Sequence, residues 1–168
     1  NRPSTRKYKR VKTRNIRIYY DDTGRVTVKN DGTTIPVAMH ETQNMYVPTM
    51  VFGYLRTGEN YDDKQKRYGG GRNGFGAKLC NIFSSEFTVR CVDATNGQEF
   101  NQTWTNGMQT TTGPRITKTT LKNDVTEISF IPDWSQFKLD KMNRAFAKYI
   151  TKRALEVAAC SPKDVKVY

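Results

Sequence analysis

The sequence predicts an α+β domain, one mixed and mostly antiparallel sheet with helices packed on a face, and three observations lead there. Strand-type alternation recurs in pairs joined by tight turns. Helical periodicity is confined to a few segments between and after those pairs. No internal repeat or low-complexity tract divides the 168 residues, a length that suits one domain with a real core. Residues 15–168 are therefore read as a single domain, preceded by a basic arm or loop over 1–14.

That arm, "NRPSTRKYKRVKTR", holds Arg2, Arg6, Lys7, Lys9, Arg10, Lys12 and Arg14 without one acid. It reads equally as a phosphate-contacting arm or as a solvated terminus. "NIRIYY" (15–20) and "RVTVKN" (25–30) alternate around "DDTG" and form a hairpin. "TQNMYVPTMVFGYL" spaces Met45, Tyr46, Met50, Val51, Tyr54 and Leu55 helically, so a helix is expected from Pro48 to Leu55. Residues 56–72 lack an apolar period and read as a long exposed loop of the functional kind. "GFGAKLCNIFS" then sets Phe75, Leu79, Ile82 and Phe83 on one helical face, which predicts a buried helix. "EFTVRCVDA" and "QEFNQTWTN" flank Asn96-Gly97, a strong hairpin signal. Strands are expected at 115–122 and 125–133. Met142, Phe146, Ile150, Ala154 and Val157 give an amphipathic helix that closes near Ser161-Pro162, and "DVKVY" adds a final strand.

Lys and Arg total 28 against 16 Asp and Glu, a formal +12 with a pI near 9.7, so the field of the protein attracts polyanions. Cys80, Cys91 and Cys160 are too few and too dispersed for a disulfide framework or a zinc site, and point to a reducing compartment. No window approaches a membrane span and no signal-peptide core opens the chain. The absence of an initiating methionine suggests a fragment or processed form.

Five glycines fall between Gly69 and Gly76, beside Arg72, Asn73 and Lys78. A P-loop needs GK followed by Ser or Thr, whereas Lys78 follows Ala77 and precedes Leu79. Gly69, Gly71 and Gly74 satisfy GxGxxG, but the charged run "DDKQKRY" stands where a dinucleotide fold has an apolar strand. A kinase loop would require HRD and DFG elements, which are missing. What remains is a general anion site: backbone N–H groups at a helix start, uncovered by glycine and reinforced by Arg72 and Lys78. A flexible linker ending in a glycine cap is the alternative.

The segments "MYVP", "VFG", "NYDD" and above all "GGRNGFGAKLCNIFS" (70–84), followed by "TW" at 103–104, "FIPD" at 130–133 and "KDVKVY" at the end, resemble the ATP-binding domain of eukaryotic type IIA DNA topoisomerases, members of the GHKL ATPase group. The resemblance runs from Ile16 to Tyr168. It implies a two-layer GHKL (Bergerat-type) sandwich with ATP on the open face of the sheet, under a lid formed by the loop ahead of the glycines. Gly71, Arg72, Asn73, Gly74, Phe75, Gly76, Ala77 and Lys78 would wrap the triphosphate. Asn30 would read the adenine edge, with Gly32 after it; Ile35, Val51 and Phe52 would line the base pocket, and Thr126 would contribute its hydroxyl. Thr57, Gly58, Glu59 and Asn60 would reach the ribose and phosphates, Asn60 foremost. Thr34 replaces the second glycine of the DxGxG-type motif, which would stiffen that turn, and Gly58 and Glu59 replace two serines. Family members carry their general base and magnesium ligand on a helix upstream of the basic stretch. Asn1 would be the last residue of that element, so no catalytic or metal residue is assigned here, and hydrolysis by this chain alone is expected to be weak or absent.

The function implied by the resemblance is ATP-driven DNA strand passage by nucleotide-gated closure of a homodimer, with ATP and Mg²⁺ as cofactors, DNA as partner and the nucleus, alternatively the mitochondrion, as location. Another GHKL ATPase, or a nonenzymatic basic nucleic-acid-binding module, is the rival reading. His40, the single histidine, lacks a partner for base catalysis. Asp62 and Asp63 read as solvated, Trp104 and Trp134 as packing residues. No nucleophile constellation can be assigned, and none of the nine tyrosines is nominated.

Overall fold

The computed structural model describes residues 11–55 and 74–168. In chain order the elements are β1 (Asn15–Tyr20), β2 (Val26–Asn30), α1 (Val47–Gly53), α2 (Gly76–Ile82), β3 (Ser84–Asp93), β4 (Gln98–Thr105), β5 (Thr110–Thr111), β6 (Arg115–Lys118), β7 (Val125–Pro132), a 3-10 turn (Trp134–Phe137), α3 (Arg144–Cys160) and β8 (Lys166–Val167). The strands form one sheet in the order β5-β4-β3-β7-β2-β1-β8, with β6 also paired to β4. Every pairing is antiparallel except β1 with β8.

Strand alternation becomes three rows across the inner face, because antiparallel partners share a side. Register aligns Trp104, Phe87, Phe130 and Val26; then Gln102, Val89, Ile128, Val28 and Ile18; then Phe100, Cys91, Thr126, Asn30 and Ile16. Val37, Phe52, Phe87, Val89, Cys91, Phe100 and Trp104 make the buried core, so its centre lies over β3 and β4. Gln102 is buried among them and fully used: Thr49 donates to its Oε1 at 2.6 Å and its Nε2 donates to Thr111 at 2.9 Å, which anchors α1 to the sheet. The outer face is polar. Arg25 pairs with Glu86 at 2.8 Å, Lys29 with Glu127 at 3.5 Å and Arg90 with Glu99 at 2.8 Å.

Three expectations are corrected. α1 begins at Val47, with Pro48 in the first turn where no amide is needed, and ends at Gly53, short of Leu55. The strand expected over 115–122 stops at Lys118, because its partner β4 begins at Gln98 and the chain turns away at Gly97 (φ +63°) after one last bond from the Thr119 amide to Gly97 O. The largest concerns α2, whose apolar stripe is not buried. Phe75, Leu79 and Phe83 are 37%, 47% and 40% exposed and Ile82 is half-buried, while Lys78 and Asn81 are 3% and 1% exposed. Tertiary hydrogen bonding overrides periodicity here: Asn81 Nδ2 donates to Phe52 O at 3.2 Å, turning the polar side of α2 toward α1. α3 keeps its amphipathic pattern, and Asn143 caps it by accepting the Phe146 amide at 2.9 Å, but none of its residues is buried. A cavity of about 490 Å³ separates Ile150 and Val157 from Ile16, Ile18, Val26, Val28 and Phe130 on the sheet.

The hairpin turn between β1 and β2 rests on one glycine. Gly24 has φ +82°, and a Cβ there would lie 2.8 Å from Trp134 Cζ2; Trp134 in turn meets Phe146 of α3 edge-on at 4.9 Å. Gly24→Ala therefore combines left-handed strain with a steric clash, and should lower the unfolding free energy by about 2 kcal/mol. Chemical denaturation followed by tryptophan fluorescence checks this; an unchanged midpoint would refute it.

Candidate functional site

Lys78 is the third residue of α2, and its position is the chief electrostatic fact of this region. Its side chain is buried and no carboxylate pairs with it among the described residues. Desolvation lowers its pKa from the ordinary lysine value, with no compensating counter-charge. The amides of Gly76, Ala77 and Lys78 have no protein acceptor among the described residues, as expected of a first helical turn. A Cβ built on Gly76 would meet nothing within 4 Å, so open space rather than packing lies above it, and Gly74 takes φ +64° to lead the chain in. With seven residues, α2 has only a small dipole; the full charge on Lys78 outweighs it.

A second set of groups gathers where β2 and β7 pair. Asn30 and Thr126 are register partners. Asn30 Oδ1 accepts the Gly32 amide at 3.2 Å, and its Nδ2 has no protein partner among the described residues. Thr34 is buried, and its hydroxyl lies 2.9 Å from Val125 O and 3.0 Å from Thr126 Oγ1. A carbonyl can only accept, so the single Thr34 proton goes to Val125 and the Thr126 proton must go to Thr34. Thr126 is left with lone pairs alone to offer a ligand. The threonine that replaces a motif glycine thus orients its neighbour's hydroxyl as well as stiffening the turn. A side chain at Gly32 would require Thr13 to move, since a Cβ there would sit 2.2 Å from Thr13 Oγ1.

The apolar residues expected around the base share one cluster. Phe52 belongs to the buried core, and Ile35, Val51 and Ala77 pack against the same cluster. The structure thus gathers Ile35, Val51, Phe52 and Ala77 on one cluster, with Phe75 exposed at the start of α2. Thr57, Gly58, Glu59, Asn60, Gly71, Arg72 and Asn73 lie outside the described residues, as do Asp62, Asp63 and the arm up to residue 10. Asn81 escaped the sequence reading. Its Oδ1 is buried without a partner among the described residues, and its signal was a polar residue three positions after Lys78 on the same helix face.

The remaining reactive groups are quiet. Burial pushes the Cys80 thiol up to about 11, offset in part by Ser84, and Cys91 likewise to about 11, offset in part by Thr34. His40 is held in a turn with Thr42, 3.3 Å from its amide. Trp104 is a core residue. No group of three or more His, Cys, Asp or Glu gathers to hold a metal among the described residues.

The chain matches no protein-family model. It is 42% identical over 156 residues to DNA topoisomerase 2 of Candida albicans and 47% identical over 143 residues to that of Drosophila melanogaster, covering 92% and 85% of this chain. It spans only 11% and 10% of those proteins. The crystal structure of the ATPase region of Saccharomyces cerevisiae topoisomerase II superposes with a TM-score of 0.88 at 37% identity, over 93% of this chain and 41% of that one. The ATPase and transducer domains of Balamuthia mandrillaris topoisomerase II give 0.85 at 44% identity, with the same shares covered. The ATPase domain of Thermus thermophilus gyrase B, at 17% identity and a TM-score of 0.62, shares the fold. Sequence and architecture agree, and the chain belongs to the GHKL-type ATPase-domain family of the eukaryotic type II DNA topoisomerases.

Proposed function

We propose that the chain binds ATP with the triphosphate over Gly76 and Lys78 and the base against Asn30 and Thr126, as the nucleotide-operated part of an enzyme that passes one DNA duplex through another. The observation that carries this is the buried Lys78 ammonium without a counter-charge. A cation so placed is costly unless an anion completes it, and a triphosphate supplies that anion. The open space at Gly76 lets phosphate oxygens approach the free amides of the first turn. Kinship with topoisomerase ATPase regions supplies the larger setting: nucleotide occupancy would close two such domains into a homodimeric gate around DNA.

At the other end, Thr126 accepts and Asn30 Nδ2 donates. Adenine offers a complementary pair, its exocyclic amino group as donor and N1 as acceptor. Bound Mg²⁺ would neutralise phosphate charge. The described residues supply no ligand set for it, and no step is assigned to it here. No general base is assigned among the same residues. Burial raises the Asp31 pKa, but hydrogen bonds from the Asn15 side chain and from backbone amides outweigh it and hold the group below its ordinary value, and Asp124 is committed to the amides of Thr34 and Ala94.

Four outcomes test this reading. Titration calorimetry with a non-hydrolysable ATP analogue should show binding that Lys78→Met weakens at least tenfold, the loss of roughly one charge-assisted hydrogen bond or more. The same variant should leave the ligand-free chain as stable or more so. Because the folded pKa of Lys78 is depressed, the unfolded chain binds more protons, so its contribution to ligand-free stability rises with pH through the alkaline range, and the variant removes that rise. Tight binding by Lys78→Met would overturn the phosphate assignment. Thr34→Val frees the Thr126 proton to serve a 6-oxo purine, so preference for an adenine over a hypoxanthine nucleotide should shrink about fivefold, the worth of roughly one neutral hydrogen bond; unchanged preference would sink the base assignment. Phosphate release by the chain alone should stay at background while binding is measurable, and steady turnover would show that a base has been overlooked.

A further inference from the structure

The outer sheet face compensates part of its basic charge, leaving Arg17 and Arg115 without a carboxylate partner among the described residues, whereas the first half of α3 compensates none. On the sheet, Arg25, Lys29 and Arg90 each have a carboxylate within ion-pair distance. On α3, Arg144 and Lys148 have none among the described residues, nor does Lys141 just before the helix. Arg144, Lys148 and Lys152 follow one another at four-residue spacing, which puts three cations in a row about 12 Å long on the side away from the sheet. Lys152 shares Glu156 with Arg153 near the helix end, so the uncompensated charge is concentrated in the first half of the helix.

That half is where a cation is least welcome. Arg144 is the first residue of α3, beside the positive end of the helix dipole, and no acid stands in the first turn to offset it. Helix stability alone would favour Asp or Glu there, so the arginine works against its own element. Asn143 caps the helix start but brings no charge to offset the arginine, and local rules are broken in this way chiefly at functional or strained sites. Tyr149, exposed beside Lys148, adds a hydroxyl donor of the kind that contacts phosphate and sugar. From these observations we infer that the outward face of α3 is a contact surface for the phosphate backbone of duplex DNA, reading charge rather than sequence. The choice of DNA among polyanions rests on the function proposed above; the surface itself does not depend on nucleotide binding.

The test is binding of the nucleotide-free chain to a short labelled duplex by fluorescence anisotropy over a range of salt. It compares Arg144→Glu/Lys148→Ala with Arg115→Glu/Lys118→Ala, which alters net charge equally on β6 at the opposite edge of the sheet. Each lost phosphate contact lowers the salt slope by about one. The α3 variant should lose about two from the slope and several-fold in affinity beyond the β6 variant, with no fall in thermal midpoint because Arg144→Glu suits the helix start. Equal losses in both variants would reduce the effect to net charge and overturn the proposal. So would retained DNA binding by the α3 variant alongside lost binding to phosphatidylserine vesicles, which would assign the face to a membrane. Because no nucleotide is present, failure here leaves the nucleotide site untouched, and failure of the calorimetric test leaves this one standing.

Discussion

β3 and β7 lie side by side at the centre of the sheet, and their register is the constraint on which the other features depend. It sets Phe87 against Phe130 and Val89 against Ile128 on the inner face, and in the same stroke Arg90 against Glu127 on the outer one. A slip of one residue would exchange the faces, burying the charges and exposing the core. The same register carries Thr126 to Cys91 on one side and Asn30 on the other, within reach of Thr34. The apolar pattern that folds the sheet therefore also places the polar groups at its end, and the two cannot be tuned separately.

α2 shows the opposite priority. Its sequence offers an apolar stripe for burial, yet the folded helix hides Lys78 and Asn81 and leaves Leu79 and Phe83 exposed. The orientation costs hydrophobic burial and desolvates an unpaired ammonium, both unfavourable for the chain by itself. Asn81 recovers part of this by holding the end of α1 through Phe52 O, although its own Oδ1 stays unsatisfied among the described residues. Two helices that each present part of the candidate site are thereby locked to one another. Stability is given up at the residues proposed to meet the triphosphate, a pattern common at functional sites.

Much of this was legible in the residues. Alternation and turn chemistry located the strands of both hairpins, because each face of a half-buried strand meets a different solvent and marks the sequence accordingly. The glycines marked where a helix begins, and α2 starts at Gly76. The orientation of α2 was not legible: periodicity reports which residues could be buried, and a single long-range bond from Asn81 decided which were. Nor was the role of Thr34 visible as more than a missing glycine. Its significance lies in a hydroxyl proton shared across strands distant in sequence, which no local pattern records.

The root of the basic arm is stitched to the loop that follows β2. Val11 exchanges hydrogen bonds with Thr33 through its amide and carbonyl, the amides of Arg14 and Asn15 both reach Asp31, and Thr13 occupies the place a side chain at residue 32 would need. Residues 11–15 and that loop are therefore joined as one unit. Tension applied at residues 11–14 would be delivered within a few bonds to Asn30. The carboxylate at the centre of that joint resists protonation, so the linkage persists well into acid before it loosens.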